Sequence, residues 1–548
     1  MKLQRKKNYK ARPPLDTVAQ IRGILHDMDL LTLEEHHYNE EAGIPSCRIL
    51  IAEDRLRNLQ IGTNGKGMNT RYCLASGYAE FMERLQNHIL LPGRGPGGPD
   101  GRTARASECP DAVRAFFVGN YGPEEKASEF FLSLDESYTL LPFCEVDGSN
   151  PTELPMELVF SLCTSNGMSA GNSRTEAILQ STSEIFERAA QTRILFDRLC
   201  PPSVPEEFFA GTEVLEKLKL LRALGVHWDV RDCSLGIGLP VIGIYMHLDD
   251  GRELFHVGAD PSPITALERC VTEIFQGVDS FNDAEFHEPE DIPHDLPFWK
   301  YQMELNAFGG NIWPMEIHSG SPSWEFTGFE HPVTESDEDD LSYYLSIIRR
   351  CGKTLLVHDA GYSGFPSYFC YIPGFSPVKF CHDRGEEFVR YSKGIRSLDG
   401  LRRLPALSAA EMHDLAVSYR DFLEEFWYLE YEGWSSRIFP AGTFPAQETD
   451  FELFLARLYA AGGLREEAAE AMESFLWDSE SNEIGEDFIR LMRTGKARAE
   501  ETAALCRFSA EDYPCCPDCG RCGVRDFCRK ADVDALAARV EEYFRAKQ

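Results

Sequence analysis

Apolar positions fall into two rhythms along this chain. In residues 164–194, Ala177, Ile178, Ile185, Phe186 and Ala189 lie on or beside one face of a helix, and residues 16–31 and 201–224 also read as helical, the latter behind a loop start. Short apolar runs at 47–52, 59–63, 239–247, 254–258, 354–359 and 368–372 predict strands. The polar turn Asp249, Asp250, Gly251 makes neighbours of the runs on either side of it. Strand pairs alternating with long helices predict an α+β fold, with helices packed on antiparallel or mixed sheets. Residues 91–103, LPGRGPGGPDGRT, cannot sustain a helix or a central strand, and mark a surface loop or insertion reaching to about residue 110. From residue 407 the pattern is helical and aromatic. After a break at 439–447, two helices between 451 and 476 meet at Gly462 and Gly463, a hairpin suited to docking or dimer contact.

The longest predicted helix also carries the first chemistry. A turn-rich stretch with Asn166, Gly167, Gly171 and Asn172 feeds its N-terminus, where free backbone N–H groups suit phosphate oxygens. Glu184 and Glu187 stand three apart further along, and two carboxylates suit a hard divalent cation such as magnesium. The arrangement recurs. Sliding residues 63–85 by 104 places puts Gly67 on Gly171, Glu80 on Glu184, Glu83 on Glu187 and Arg84 on Arg188. A partial third copy at 266–276 brings Arg269, Glu273 and Gln276 to one helical face. Such pieces would bring carboxylates to one centre, where Glu80, Glu83, Glu184, Glu187 and Glu273 form the pool of magnesium ligands. Arg269 would face a phosphate or the charge on a transferred group, with Glu273 beside it as the second catalytic candidate. Arg84 and Arg188 are better read as forming salt bridges with neighbouring helices, and His256 and His358 as structural. The glycine-rich loop at 91–103 follows a helix instead of preceding one, so it is no phosphate loop. No dinucleotide fingerprint or Walker-type lysine loop is found, so an ATP site here must be built differently.

The segments NGKG…ASGYAEFMERL, SNGMSAGN…SEIFER and ALER…TEIFQG closely resemble the YcaO family, from about Lys10 to the 430s. They look most like its bacterial branch, named for an accessory role in β-methylthiolation of a small-subunit ribosomal protein. The resemblance implies an unusual ATP-binding α+β fold and an enzyme that phosphorylates a peptide amide oxygen. It places a lysine and a hydroxyl residue near the nucleotide, for which Lys10 and Thr17 are the candidates, and a nucleotide-contacting glutamine at Gln180, matched in the first copy by Ser76. In the implied reaction a nucleophile adds to the amide carbonyl, the oxyanion takes the γ-phosphoryl group of ATP, and phosphate departs. A Cys, Ser or Thr nucleophile would give azolines and a sulfide donor a thioamide. The proline-rich end of azoline-forming relatives is absent here. A nucleotide-regulated scaffold without catalysis is the alternative of another class.

Composition adds three constraints. A net charge of −34 argues against nonspecific nucleic-acid binding and suits a basic protein or peptide partner. No apolar run approaches a membrane span and the basic N-terminus lacks an apolar core, so a cytoplasmic location is expected, with a homodimer by resemblance. Of 17 cysteines, eleven are scattered over residues 47–381 as buried thiols, and six cluster at 506–528. There Cys516, Cys519, Cys522 and Cys528 have the spacing to wrap an iron–sulfur cluster or zinc, with Cys506 and Cys515 as spares. The expected division is a catalytic domain at 1–435, the helical hairpin, which resembles a tetratricopeptide unit, at 445–500, and a metal-binding tail at 501–548.

Overall fold

The structure, a computed structural model, describes residues 3–5, 10–123, 126–277, 284, 286–288, 313, 315–380, 384–431, 451–477, 483–496, 500–508 and 528–547. Two compact units emerge: Met1–Gly385 with Leu536–Gln548, and Glu386–Ala535.

In the first unit, β1 (Gln4–Arg5) precedes α1 (Pro14–Asp27), which buries Thr17, Val18, Ile21 and Leu25 along one side. The helix stops short of residue 31 because Asp29 adopts a left-handed φ of 54°, turning the chain into β2 (Thr32–Asn39). β3 (Ile44–Ile51) and β4 (Gly62–Lys66) complete an antiparallel three-stranded sheet, and α2 (Thr70–Gln86) packs on it. Residues 91–101 form the expected loop, whose end runs into β5 (Arg102–Arg105). Next come α3 (Pro110–Tyr121), α4 (Ala127–Leu134), β6 (Ser137–Glu145), β7 (Thr152–Pro155), α5 (Met156–Cys163), β8 (Met168–Ala170) and the long α6 (Arg174–Phe196). α7 (Glu213–Ala223) leads to a second antiparallel sheet, β9 (His227–Asp232), β10 (Val241–His247) and β11 (Glu253–Ala259), in the order β11-β10-β9. α8 (Pro263–Ile274) follows, then β12 (Val333–Thr334), which pairs in parallel with β1. β13 (Leu356–Asp359) and β14 (Ser367–Tyr371) join the largest sheet, ordered β5-β6-β13-β14-β8 with β7 alongside β6, its pairs all antiparallel.

The sheet β9–β11 separates two cores. Strand alternation sends Val230, Ile242, Ile244 and Met246 into one with Leu218, Leu267 and Val271 of α7 and α8. Phe255 and Val257 enter the other with Ile185 and Phe186 of α6, Tyr344, and Val357 and Cys370 of the large sheet. α6 therefore lies between two sheets and is buried along most of its length. The acidic run near residue 335 is a helix N-terminus: Ser336 caps the helix Asp337–Arg350, and Asp340 is fully buried against Nε2 of His331 at 2.7 Å.

The second unit is helical, with helices Gly385–Ser397, Ala409–Tyr431, Phe451–Gly462, Arg465–Trp477, Glu483–Thr494 and Glu500–Ala504. The expected hairpin turns at Gly463, whose φ is +81°, and Gly462 lets its helix touch Ala416, where a Cβ would sit 2.3 Å from the alanine methyl. Arg465 caps the next helix, donating to the carbonyls of Leu491 and Met492 at 2.6 Å each. No helix among the described residues is long and apolar enough to cross a membrane.

Candidate active site

Three times the chain runs from a strand through a short turn into a helix: β4 to α2, β8 to α6, and β11 to α8. The helices start at equivalent caps, Asn69, Ser173 and Ser262, whose side chains accept from backbone N–H groups of the first turn. The offset of 104 relates the first two caps, and an offset of 193 relates the first and third. That second offset also places Gly258 on Gly65, Arg269 on Ser76, Glu273 on Glu80 and Gln276 on Glu83, so the third copy begins in its strand, ahead of residue 266. The packing repeats as well. A Cβ on Gly65 would lie 2.4 Å from the carbonyl oxygen of Cys73, and one on Gly258 would lie 2.5 Å from that of Ala266. In the middle copy Ser169 stands there and donates its hydroxyl to the equivalent carbonyl, Ala177, at 2.6 Å. Each helix thus carries its polar side chains at matching heights, spaced four and then three residues apart.

The three copies meet. Lys66, the last residue of β4, forms a close ion pair with Glu273 of α8. Arg269 of α8 donates from Nη1 to Oε1 of Gln180 on α6 at 2.7 Å, with Nη2 3.9 Å from Glu187. Glu187 in turn accepts from the backbone N–H of Ala259 at 3.1 Å. On α2, Arg84 lies 3.4 Å from Glu83 and 3.5 Å from Glu80, so its close ion pairs are within its own helix and not with the neighbouring helix expected of it. Arg188 is exposed and donates to Gln191 at 3.3 Å. Ser76 is half-buried one turn before Glu80.

Electrostatics favour an added cation. Burial raises the Glu83 carboxyl well above its ordinary range, Arg84 opposes this, and the like charges of Glu184 and Glu80 add to it. Burial also raises Glu184, against Arg188 and Arg84 and with help from Glu187. Burial and the neighbouring Arg269 pull Lys66 down to about 8, while Glu187 and Glu80 pull upward, so its ammonium stays charged at neutral pH. His256, on β11, is driven down to about 3 by burial and then by Lys66 and Arg188, and is a neutral wall of the site. These hard oxygen donors fit magnesium in kind. Among the described residues, no three His, Cys, Asp or Glu side chains are gathered closely enough to chelate one ion as they stand. Lys66 and Arg84 lie among the carboxylates and would have to yield.

Lys10 and Thr17 sit on the second turn. Lys10 lies 3.9 Å from Glu176, whose carboxylate also accepts from the Ala11 N–H at 2.7 Å, and Thr17 donates to Asn172 at 2.6 Å. Gln180 is one helical turn beyond Glu176. Two residues here escaped the sequence reading: Glu176, the buried clasp for the N-terminal segment, and Lys66, whose counterparts in the other copies are Ala170 and Ala259. His358 is structural, its Nδ1 2.8 Å from the Pro142 carbonyl and its Nε2 2.8 Å from the Tyr362 hydroxyl. The scattered cysteines are mostly buried thiols, as expected. Of the tail, Cys515, Cys516, Cys519 and Cys522 lie outside the described residues, while Cys506 and Cys528 are half-buried.

The family profile described as "YcaO cyclodehydratase, ATP- and Mg2+-binding" matches residues 64–376. The chain is 26% identical over 394 residues to the ribosomal protein S12 methylthiotransferase accessory factor YcaO of Escherichia coli, a match covering 66% of this chain and 65% of that protein. An uncharacterized protein of Haemophilus influenzae is 25% identical over 393 residues, covering 67% of this chain and 65% of its own length. The chain thus spans about 65% of the curated relatives it matches. Among solved structures, a heterocyclase in complex with substrate and cofactor is similar at 20% identity and a TM-score of 0.48, over 70% of this chain and 55% of that one. YcaO from Methanopyrus kandleri bound with AMPPCP and Mg2+ is similar at 16% identity and a TM-score of 0.44, over 67% and 92%. With more than half of the chain matched, and its three strand–turn–helix copies converging inside that span, this protein belongs to the YcaO family.

Proposed function

We propose that this chain binds ATP with magnesium where α2, α6 and α8 meet, and uses it to phosphorylate the backbone amide oxygen of a peptide or protein. The observation that supports this most is the meeting itself: side chains of the three copies, Lys66 with Glu273 and Arg269 with Gln180 and Glu187, form one polar centre. Magnesium would supply neutralisation of the triphosphate there, with Glu80, Glu83, Glu184, Glu187 and Glu273 as its ligand pool. Arg269 would stabilise charge on the transferring phosphoryl group, and Glu273 would hold its place across from it. Ser76 and Gln180, one turn ahead of the carboxylates on their helices, would orient the nucleotide, and Lys10 and Thr17 would close the second turn over it.

Besides ATP the chemistry needs a nucleophile, either a Cys, Ser or Thr side chain of the substrate or a sulfide donor. The nucleophile gives up a proton as it bonds to the amide carbon, and the carbonyl oxygen accepts the γ-phosphoryl group with release of ADP. The carbon–oxygen bond then breaks to release phosphate as a carbon–nitrogen or carbon–sulfur double bond forms with loss of a proton. The name of the E. coli relative supports a setting in sulfur modification of a ribosomal protein with a partner enzyme; thioamide or azoline formation would use the same activation. A homodimer and an iron–sulfur or zinc centre at Cys516, Cys519, Cys522 and Cys528 belong to this proposal too. Metal analysis of wild type and Cys519→Ser tests the latter, and equal metal content in both would remove it.

Calorimetric titration with ATP and magnesium tests the centre. Wild type should bind, and Glu184→Gln and Glu273→Gln should each lose at least about tenfold in affinity, as expected when a metal ligand or its support is removed. Unchanged affinity in both variants would remove the carboxylates from the site. A wild type that binds no nucleotide would defeat the reading altogether.

A further inference from the structure

A cavity of about 110 Å³ lies between the end of β9, the first turn of α8 and residues 324–331. It has room for several water-sized groups. Its walls include the rings of Trp324, Phe329 and Tyr343, and its lining includes the carboxylate of Asp232. Asp232 is 8% exposed, and its oxygens accept from the Ser234 N–H at 3.0 Å, the Ser234 hydroxyl at 3.1 Å and Nε1 of Trp324 at 3.0 Å. Each of these donors is neutral. Among the described residues no cation is paired with Asp232. Arg231 is engaged with Asp229 at 2.7 Å, and Arg350, beside the rim, is held by Glu330 at 3.0 Å and the Ile237 carbonyl at 2.9 Å. A buried carboxylate ordinarily has a cationic partner or gives up its charge. Here burial does raise the Asp232 carboxyl, and Trp324 and Ser234 only partly offset that.

Aromatic rings beside a carboxylate suit an ammonium or guanidinium group, which gains from the rings as well as from the charge; one face of Tyr343 is covered by His331, stacked on it at 4.5 Å. Among the described residues, no N–H of the first turn of α8 donates to Asp232. Pro263 has no N–H to offer, the Ser262 N–H donates to Asp260 at 2.9 Å, and the Thr265 N–H donates to the Ser262 hydroxyl at 3.5 Å. We propose that this cavity is a recognition subsite for a lysine or arginine side chain of the peptide that the chain modifies, with Asp232 as its counter-charge and Trp324, Phe329 and Tyr343 as its walls. The cation binding stands on the cavity alone; the word peptide rests on the proposed amide activation. Ala266 lines the cavity and Glu273 follows seven residues later on α8, about 10 Å along the helix at roughly 1.5 Å per residue.

The test is calorimetry on the full chain with Nα-acetyl-arginine methylamide, its citrulline counterpart and free L-arginine. The blocked arginine should saturate wild type, bind at least tenfold more tightly than the citrulline compound, and lose at least tenfold in Asp232→Asn, whose amide oxygen can still accept from Trp324. Free arginine should bind no better than the blocked form. Equal affinity for arginine and citrulline in wild type overturns the proposal without need of any variant. So does equal affinity in wild type and Asp232→Asn, or no saturable binding. Tighter binding of free arginine overturns the peptide assignment in favour of an amino-acid site. Failure of wild type to bind ATP with magnesium would strike the proposed function and leave these outcomes readable.

Discussion

Lys66 is the cation through which the first strand–turn–helix copy reaches the third. Its partner Glu273 is more than a third exposed, so the pair itself contributes only about 1 kcal/mol. Its larger effect is on the company Glu273 keeps, since Glu80 and Glu187 also act on Lys66. Lys66→Met should lower the thermal midpoint in chelator, and millimolar magnesium should restore more of it than it adds to wild type. Equal magnesium shifts in the two proteins would mean that Lys66 does not stand where a metal's charge is wanted. His358 gives a prediction in pH. Burial lowers its pKa from the ordinary 6.5 in the folded chain, despite the nearby Asp100. The unfolded chain takes up that proton first, so the contribution is complete above about pH 6.5 and is lost as the pH falls towards the lower folded value. Melting curves between about pH 7.5 and about pH 5.5 should therefore fall less steeply for His358→Gln than for wild type.

Between elements, two of the three strand–helix contacts depend on glycine. Gly65→Ala would force its methyl against the Cys73 carbonyl and the Gly77 N–H, backbone on both sides, and should cost about 1–3 kcal/mol or more in urea unfolding. Ser169→Ala, at the equivalent place in the middle copy, already has room for a Cβ and loses one hydrogen bond, worth about 1 kcal/mol. Equal costs at the two positions would mean that the absence of a side chain at Gly65 is not what lets its strand approach α2. This contrast also bears on what could be read beforehand. Shared residues such as Glu80 and Glu184 declare a repeat, and most core strands and helices declare themselves by apolar spacing. A contact that joins copies is not periodic, so Lys66 against Ala170 and Ala259 gave no signal. The third copy was visible only from Ala266 because its turn, ADPS, shares nothing obvious with GKGMN. β2, TLEEHHYN, was missed because its side chains are largely polar and only half-covered, leaving no alternation to detect.

Across the whole molecule, the net charge of −34 means that the chain repels itself wherever acidic surface is not offset. Raising sodium chloride from about 10 mM to about 150 mM shortens the reach of that repulsion from about 30 Å to about 8 Å, and should raise the thermal midpoint by several degrees. A flat or falling profile would mean that local ion pairs such as Arg102–Glu153 and Arg493–Glu473 outweigh it. The first unit, meanwhile, is not continuous in sequence. Its last piece, Leu536–Gln548, is separated from Gly385 by the 150 residues of the second unit, Glu386–Ala535. Within that piece Arg539 pairs with Glu53, and Phe544 packs edge-on against His88. A ribosome adding about 5–20 residues per second would spend about 7–30 s on the intervening segment. For that time the nascent first unit is nearly whole, with the surface around Glu53 and His88 still waiting for its last strip of chain.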